Sequence, residues 1–291
     1  MSLSPKEMVA GAIEIASLPE VFLRVNEMID SPRYSAADIS TVISSDPGLT
    51  ARLLKIVNSA FYSFPSQIDS ISRAITIIGT RELRDLILAT SVVRVFKGIP
   101  NDLVTMDDFW RHSICCGLAA RALATKRGER LVERFFVAGL LHDIGSLLIY
   151  RKIPELAREA LLRCQHNDVP LYRVEQDIMG FDHAAVGGEI LRKWKLPEHL
   201  QEAVEFHHTP SRAEQFPRDT ALIHIADVVA DAMQYGNSGD PRVPPMDADA
   251  WRFAELNDDI IASVMDDVEK QFSATMELIR AEPPNVIAKI H

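Results

Sequence analysis

Five histidines and two aspartates carry the chemistry this chain could do: His112, His142 with Asp143 beside it, His183, His207 with His208 beside it, and Asp227. Imidazole nitrogens and carboxylate oxygens are ligands for divalent ions, and this set, ordered along helical sequence, suits a two-metal site inside a helical bundle. In Leu140-Leu141-His142-Asp143-Ile144-Gly145, two ionisable side chains interrupt an apolar run. Burying them unpartnered would cost several kcal/mol. A divalent ion satisfies both, because one carboxylate has two oxygens and can bridge two ions. Neighbouring residues do not share a helical face, so a joint site needs a helix end here, which Gly145 is expected to provide.

The other candidates sit at comparable places. His183 lies at an expected helix start within Gly180–Gly187, and His207-His208 close a helix that begins near Pro197 and runs into Thr209 and Pro210. Asp227, between Ala226 and Val228, falls in a segment apolar enough to be core. Taken alone, any one of these histidines reads more readily as hydrogen-bonded structure than as a ligand. Together in one domain they point to metal. His166, His199 and His224 lack such surroundings and are expected at the surface. Cys116, one helical turn after His112, is expected to pack as core, with a soft ligand as the lesser alternative.

The elements that must hold these residues are helical throughout; no alternating strand pattern bounded by hairpin turns occurs. Asp46 is expected to cap a helix with Pro47 at its first position and Leu49, Leu53, Leu54 and Val57 as its apolar stripe, after a short helix from Ala36 to Ser44. Gly79-Thr80 starts another, burying Leu83, Leu86 and Ile87. Helices over Asp108–Lys126 and Phe135–Tyr150 carry His112 and the His142-Asp143 pair. Residues 209 to 219 and 235 to 249 read as loops around a helix from Thr220 to Met233 bearing Asp227, and a last helix spans Asp258 to Arg280. The stretch from Gly98 to Asp107 is the best boundary, cut near residue 104. The expected layout is an N-terminal helical bundle (1–104) followed by a metal-binding helical subdomain (105–291).

Composition bounds the class. With 47% hydrophobic and 25% charged residues the chain resembles a soluble globular protein, and it holds no run of about 18 apolar residues. Cys115, Cys116 and Cys164 give no disulfide framework, which suits a reducing compartment; a cytoplasmic location is expected. The net charge is −10, and residues 1 to 105 hold ten basic and eleven acidic residues, so the acidity is C-terminal. That disfavours nucleic acid and anionic membranes as partners. Residues 36 to 57 have helix-turn-helix spacing, but Asp38 and Asp46 oppose Arg52 and Lys55, and packing is the expected role.

Several stretches resemble the HDOD domains, HD-related output modules of bacterial signalling proteins. In the N-terminal part these are Leu18-Pro19, Ser45-Asp46-Pro47-Gly48-Leu49 with Leu53-Leu54, Val57-Asn58-Ser59-Ala60-Phe61, and Ile71 through Ala74-Ile75 to Ile78-Gly79. Beyond them come Leu140–Gly145 and Asp182-His183-Ala184-Ala185-Val186-Gly187. The resemblance runs from about Ala12 to Asp231 and implies an all-helical, two-part domain with a regulatory role. The ligand order is also similar to that of the HD-GYP phosphodiesterases. By that likeness His112, His142, Asp143 and Asp227 would hold one ion, and His183, His207 and His208 a second, with Asp143 bridging. Two accessories differ. The lysine usual after His-Asp-x-Gly is Ser146 here, and the run from Thr209 to Pro217 replaces the Glu and Gly-Tyr-Pro signature.

Two functions follow as expectations. The first is a bacterial regulatory module that retains a binuclear metal site and contacts a signalling protein or a small phosphorylated ligand. The second is a metal-dependent phosphohydrolase acting on a nucleotide or cyclic dinucleotide, with Asp143 bridging the ions. Arg111 and Lys152 lie near enough in sequence to supply positive charge, though solvation is their expected role. The mixed His and carboxylate set favours two iron or manganese ions, with zinc as the fallback.

Overall fold

The computed structural model describes residues 4–10, 18–29, 31–59, 62, 64–96 and 103–280. Among these the regular elements are helices and no strand occurs, so the all-α class predicted from periodicity stands. The chain divides into two compact units, Leu18–Arg94 with Gln271–His291, and Val95–Lys270 with Met1–Ser17. Within the expected boundary stretch, residues 98–102 lie outside the described residues, as do Ala12, Ala60 and Phe61 of the family-like stretches. None of the described helices is long and apolar enough to cross a membrane.

The first helices are α1 (Pro5–Ala10), α2 (Glu20–Ile29), α3 (Ala36–Ser44), α4 (Pro47–Val57), α5 (Ile71–Ile78) and α6 (Thr80–Val95). In the smaller unit α3 packs on α2, α4 and α5 around Phe22, Val25, Ile43, Leu53 and Val57. Ser35 and Asp38 form a reciprocal capping box at α3, and Asp46 Oδ1 accepts from Leu49 N at 2.9 Å to start α4. The buried stripe of α4 is Leu49, Leu53, Ile56 and Val57, a four-then-three spacing that leaves Leu54, expected inside, at its edge. Lys55 pairs with Glu277 at 3.2 Å.

The larger unit contains α7 (Met106–Arg127), α8 (Glu133–Leu141), α9 (Ile144–Lys152), α10 (Pro154–His166), α11 (Leu171–Met179), α12 (His183–Lys193), α13 (Glu198–Glu205), α14 (Pro217–Met233) and α15 (Ala250–Ala254). A long C-terminal helix, α16 (Ile261–Arg280), contributes residues to both units. Two glycines let α7 and α8 touch backbone to backbone: a Cβ on Gly139 would sit 2.8 Å from Gly117 Cα. α14 packs along α7, and α12 packs on both α9 and α13. The seven candidate residues lie on or at the ends of these helices.

The single helix expected over Phe135–Tyr150 is broken. α8 ends at Leu141 and α9 begins at Ile144, so His142 and Asp143 form the joint between them. Gly145 does not make the helix end; it lies in the first turn of α9, pressed against α12, where its Cβ would come 2.0 Å from His183 O. That contact explains a glycine here better than a cap does.

Candidate metal centre

Each ligand candidate owes its direction to a helix terminus or to one buried helical face. Thr105 caps α7, accepting from Asp108 N at 3.0 Å, and two turns later His112 is 1% exposed. At the α8–α9 joint, Ser146 N donates to Asp143 O at 2.9 Å, closing a tight turn. That turn lets two neighbouring residues reach the same interior. Asp182 Oδ1 accepts from Ala185 N at 2.8 Å and so caps α12, whose first residue is His183. His207 and His208 follow Phe206, where α13 ends and Thr209 N bonds to Phe206 O at 2.8 Å. Asp227 is mid-helix on α14 and 4% exposed.

All seven converge. Asp143, His183, His207 and His208 form one group, and His112, His142 and Asp227 another; within each, the donor atoms lie within 4.8 Å of one another. Asp143 divides its oxygens between them. Oδ2 is 3.0 Å from His142 Nε2 and 3.5 Å from His112 Nε2, while Oδ1 is 3.2 Å from His183 Nε2 and 3.6 Å from His207 Nε2. Asp227 Oδ1 lies 3.2 Å from both His112 Nε2 and His142 Nε2.

The outer ring nitrogens explain why the Nε2 atoms face inward. His142 Nδ1 bonds to Gly139 O at 2.7 Å, His207 Nδ1 to Val204 O at 2.7 Å, and His183 Nδ1 to Glu175 Oε2 at 2.6 Å. Carbonyls and carboxylates only accept, so each Nδ1 carries hydrogen and each neutral ring turns an Nε2 lone pair toward the centre. His112 Nδ1 lies 3.3 Å from Asp231 Oδ1, close but without hydrogen-bond alignment. The Nε2 atoms then meet: His112 Nε2 is 3.2 Å from His142 Nε2, and His183 Nε2 is 2.8 Å from His208 Nε2. His207 Nε2 is buried without a hydrogen-bond partner.

A divalent ion fits this donor set. Two ligand atoms each about 2.1 Å from one ion, at tetrahedral or octahedral angles, sit about 3.0–3.4 Å apart, and most spacings above fall in or near that band. Left to protein groups alone, the centre separates charge instead. Burial pushes Asp143 up, but His142 and His183 outweigh it and hold its carboxyl well below the usual range. Asp227 behaves the same way, through His142 and His112. Burial disfavours a charged His142, yet Asp143, Cys116 and Asp227 raise it well above 6.5; Glu175 and Asp143 do so for His183. Burial and then His142 lower His207 to about 4, and burial and then His207 hold His208 well below its ordinary value.

Three contributors were not legible as such in the sequence. Glu175, 1% exposed, accepts from both His183 N and His183 Nδ1. Its signal is its place four residues after Leu171 on the buried stripe of α11. Asp231 follows Asp227 by one turn and therefore faces His112 as well. Burial, then Asp227 and Asp143, raise its carboxyl well above the ordinary range. His224, expected at the surface, is 3% exposed on α14, one turn before Asp227. His199 is half-buried edge-on to Phe216, and His166 is exposed as expected.

Of the remaining candidates, Cys116 is fully buried, its thiol pushed up to about 11, chiefly by burial. It is core. Arg111 Nε donates to Tyr235 O, and Lys152 is exposed at the end of α9. His208 is the most exposed of the seven, and Tyr172 stacks on it at 4.3 Å between ring centroids.

The HDOD domain model matches residues 15–210. A curated protein of Treponema pallidum (strain Nichols), itself uncharacterized, is 27% identical over 217 residues, covering 74% of this chain and 42% of that protein. The chain thus spans less than half the length of this relative. An HDOD domain protein of unknown function from Geobacter sulfurreducens has a similar structure, with a TM-score of 0.78, 22% identity, and coverage of 96% of this chain and 97% of its own. A provisionally assigned phosphohydrolase from Shewanella amazonensis SB2B follows at TM-score 0.71 and 23% identity, covering 94% and 97%. At these identities the likeness is one of fold. Together with the match over two thirds of its length, it places the chain: it belongs to the HDOD domain family.

Proposed function

We propose that this chain is a regulatory signalling module whose helical core retains a binuclear centre, holding two divalent ions and contacting a signalling protein or a small phosphorylated ligand. The observation that carries the reading is Asp143, which aims one oxygen at His142 and His112 and the other at His183 and His207. A bridging carboxylate has that geometry. His112, His142 and Asp227 would complete one ion's ligands, and His183, His207 and His208 the other's. With Asp143 bridging, the seven residues give each ion four donors, and six-coordinate iron or manganese then keeps positions for water, which favours them over zinc. Elemental analysis of purified protein tests this, with His142→Ala and Asp143→Ala expected to lose metal while remaining folded. A wild-type protein that takes up no divalent ion would overturn it.

The intact ligand set also supports a second reading, a metal-dependent phosphohydrolase. Two bound ions would polarise a phosphoryl oxygen and lower the pKa of water between them. The protein groups offer less. Ser146 is buried where the related phosphodiesterases carry lysine, Arg111 is engaged by Tyr235 O, and Lys152 is exposed at the end of α9. The regulatory reading therefore stands first. Turnover of a cyclic dinucleotide, nucleotide or phosphate monoester by metal-replete protein, absent in Asp143→Ala, would reverse that order.

A further inference from the structure

His224 has both ring nitrogens committed, and the commitments differ in kind. Nδ1 is 2.8 Å from His207 O, and Asp247 N is 2.8 Å from Nε2. A carbonyl accepts and a backbone amide donates, so a single neutral tautomer, with hydrogen on Nδ1, satisfies both. The ring spans α14 and the segment that leads into α15. Asp247 is itself anchored, since its backbone oxygen accepts from Ala250 N at 3.1 Å and its Oδ1 from Asp249 N at 2.9 Å.

The carbonyl His224 holds belongs to the peptide joining His207 to His208. A peptide is planar, so fixing that oxygen fixes the plane from which both adjacent Cα atoms depart. The directions of the two imidazoles follow. His207 Nδ1 has a second restraint, at Val204 O; His208 is held by the peptide plane, the stack on Tyr172 and the contact of its Nε2 with His183 Nε2.

We infer that His224 is the positioning residue of the His207–His208 ligand pair, tying the docked segment at Asp247 to the cluster formed with Asp143 and His183. The inference rests on the two-ion reading above. Occupancy of that cluster then depends on how this segment is seated, whereas His112, His142 and Asp227 hold their ion without it.

Two near-isosteres separate the halves of the contact. Asn places an amide where Nδ1 stands and keeps the donor to His207 O; Gln places one where Nε2 stands and keeps only the link to Asp247. Chelator-treated protein is titrated with manganese(II), or with zinc(II) if manganese does not bind, by equilibrium dialysis with elemental analysis. Paramagnetic resonance of the manganese forms distinguishes a coupled pair from a single ion. Wild type and His224→Asn are expected to take two ions per chain. His224→Gln and His224→Leu should keep the first and bind the second about tenfold to a hundredfold more weakly, with loss of the coupled signal. A second ion bound equally well by the Asn and Gln forms overturns the inference, and that comparison suffices if His224→Leu fails to fold. A wild type that binds one ion or none would instead remove the two-ion reading itself.

Discussion

Gly145→Ala tests how the fold holds the centre together. The first turn of α9 meets α12 backbone to backbone, and the new Cβ would lie 2.0 Å from His183 O and 2.7 Å from Gly187 N. Carbon and oxygen in close contact stand about 3.3 Å apart, so the helices must separate by roughly 1 Å. No side-chain rotation relieves the clash, because both atoms are backbone. Overpacking of this kind costs about 1–3 kcal/mol, here at the upper end. Alanine's helix advantage over glycine returns about 1 kcal/mol, leaving a net loss of about 1–2 kcal/mol. For a unit of this size that is a fall in melting temperature of about 2–8 °C. The site should respond too, since His183 Nε2 now sits 3.2 Å from Asp143 Oδ1, and a 1 Å shift breaks donor spacing on that side. Thermal melts in chelator, paired with manganese(II) titration, read both effects. The first ion, held from α7, α14 and the end of α8, should remain. A variant as stable as wild type with two ions at unchanged affinity would refute the argument.

Asp143→Asn replaces two acceptor oxygens with one and an amide nitrogen that does not coordinate, so the variant should bind at most one ion, as elemental analysis would read; two ions would end the bridging assignment. In chelator, the folded protein keeps His142 and His183 protonated above 6.5, where the unfolded chain does not, so their contribution to stability is lost as pH rises. Below 6.5, His207, lowered to about 4, and His208 act oppositely, because the unfolded chain takes up protons the fold refuses. The chelated melting temperature should therefore fall as pH rises above 6.5, while the stabilisation added by metal grows with pH as ligands deprotonate; a chelated melting temperature that climbs steadily from pH 6.5 to 9 would contradict this. In the smaller unit, Ser35→Ala removes the α3 capping box and should cost about 0.5–2 kcal/mol in denaturant titrations, with no change in metal content.

Much of this was legible because it rests on local rules. Asp46 before Pro47 and Leu49 marks a capped helix in any sequence, and α4 starts there. The seven ligand candidates stood out because ionisable residues interrupt apolar runs. What the sequence hid depends on tertiary approach. The adjacency of His142 and Asp143 predicts a helix end here, but not its place: the joint falls at those two residues, before Gly145, with no Pro or glycine in it. It follows from α9 packing against α12, a contact between residues some forty positions apart. His224 was misplaced for the same reason: its partners, His207 O and Asp247 N, are 17 and 23 residues away. A satisfied buried histidine and a surface one look alike until those distances close.

The electrostatics of the centre bear on why ligands so well kept need not mean hydrolysis. Two divalent ions would meet the carboxylates of Asp143 and Asp227, with Glu175 and Asp231 immediately behind His183 and His112. The carboxylates of Asp143 and Asp227 would already offset part of the charge of two ions. A phosphoryl transition state gathers charge on its equatorial oxygens and needs donors aimed at them beyond the ions. Arg111 is turned to Tyr235 O, and Arg242 to Asn167 O and Val169 O. The ligand shell itself is closed except at His208, which lies under Tyr172. Filled with metal, such a centre would be reached only beside Tyr172 and His208. That arrangement suits a module whose shape depends on its ions more than one that turns over phosphate esters.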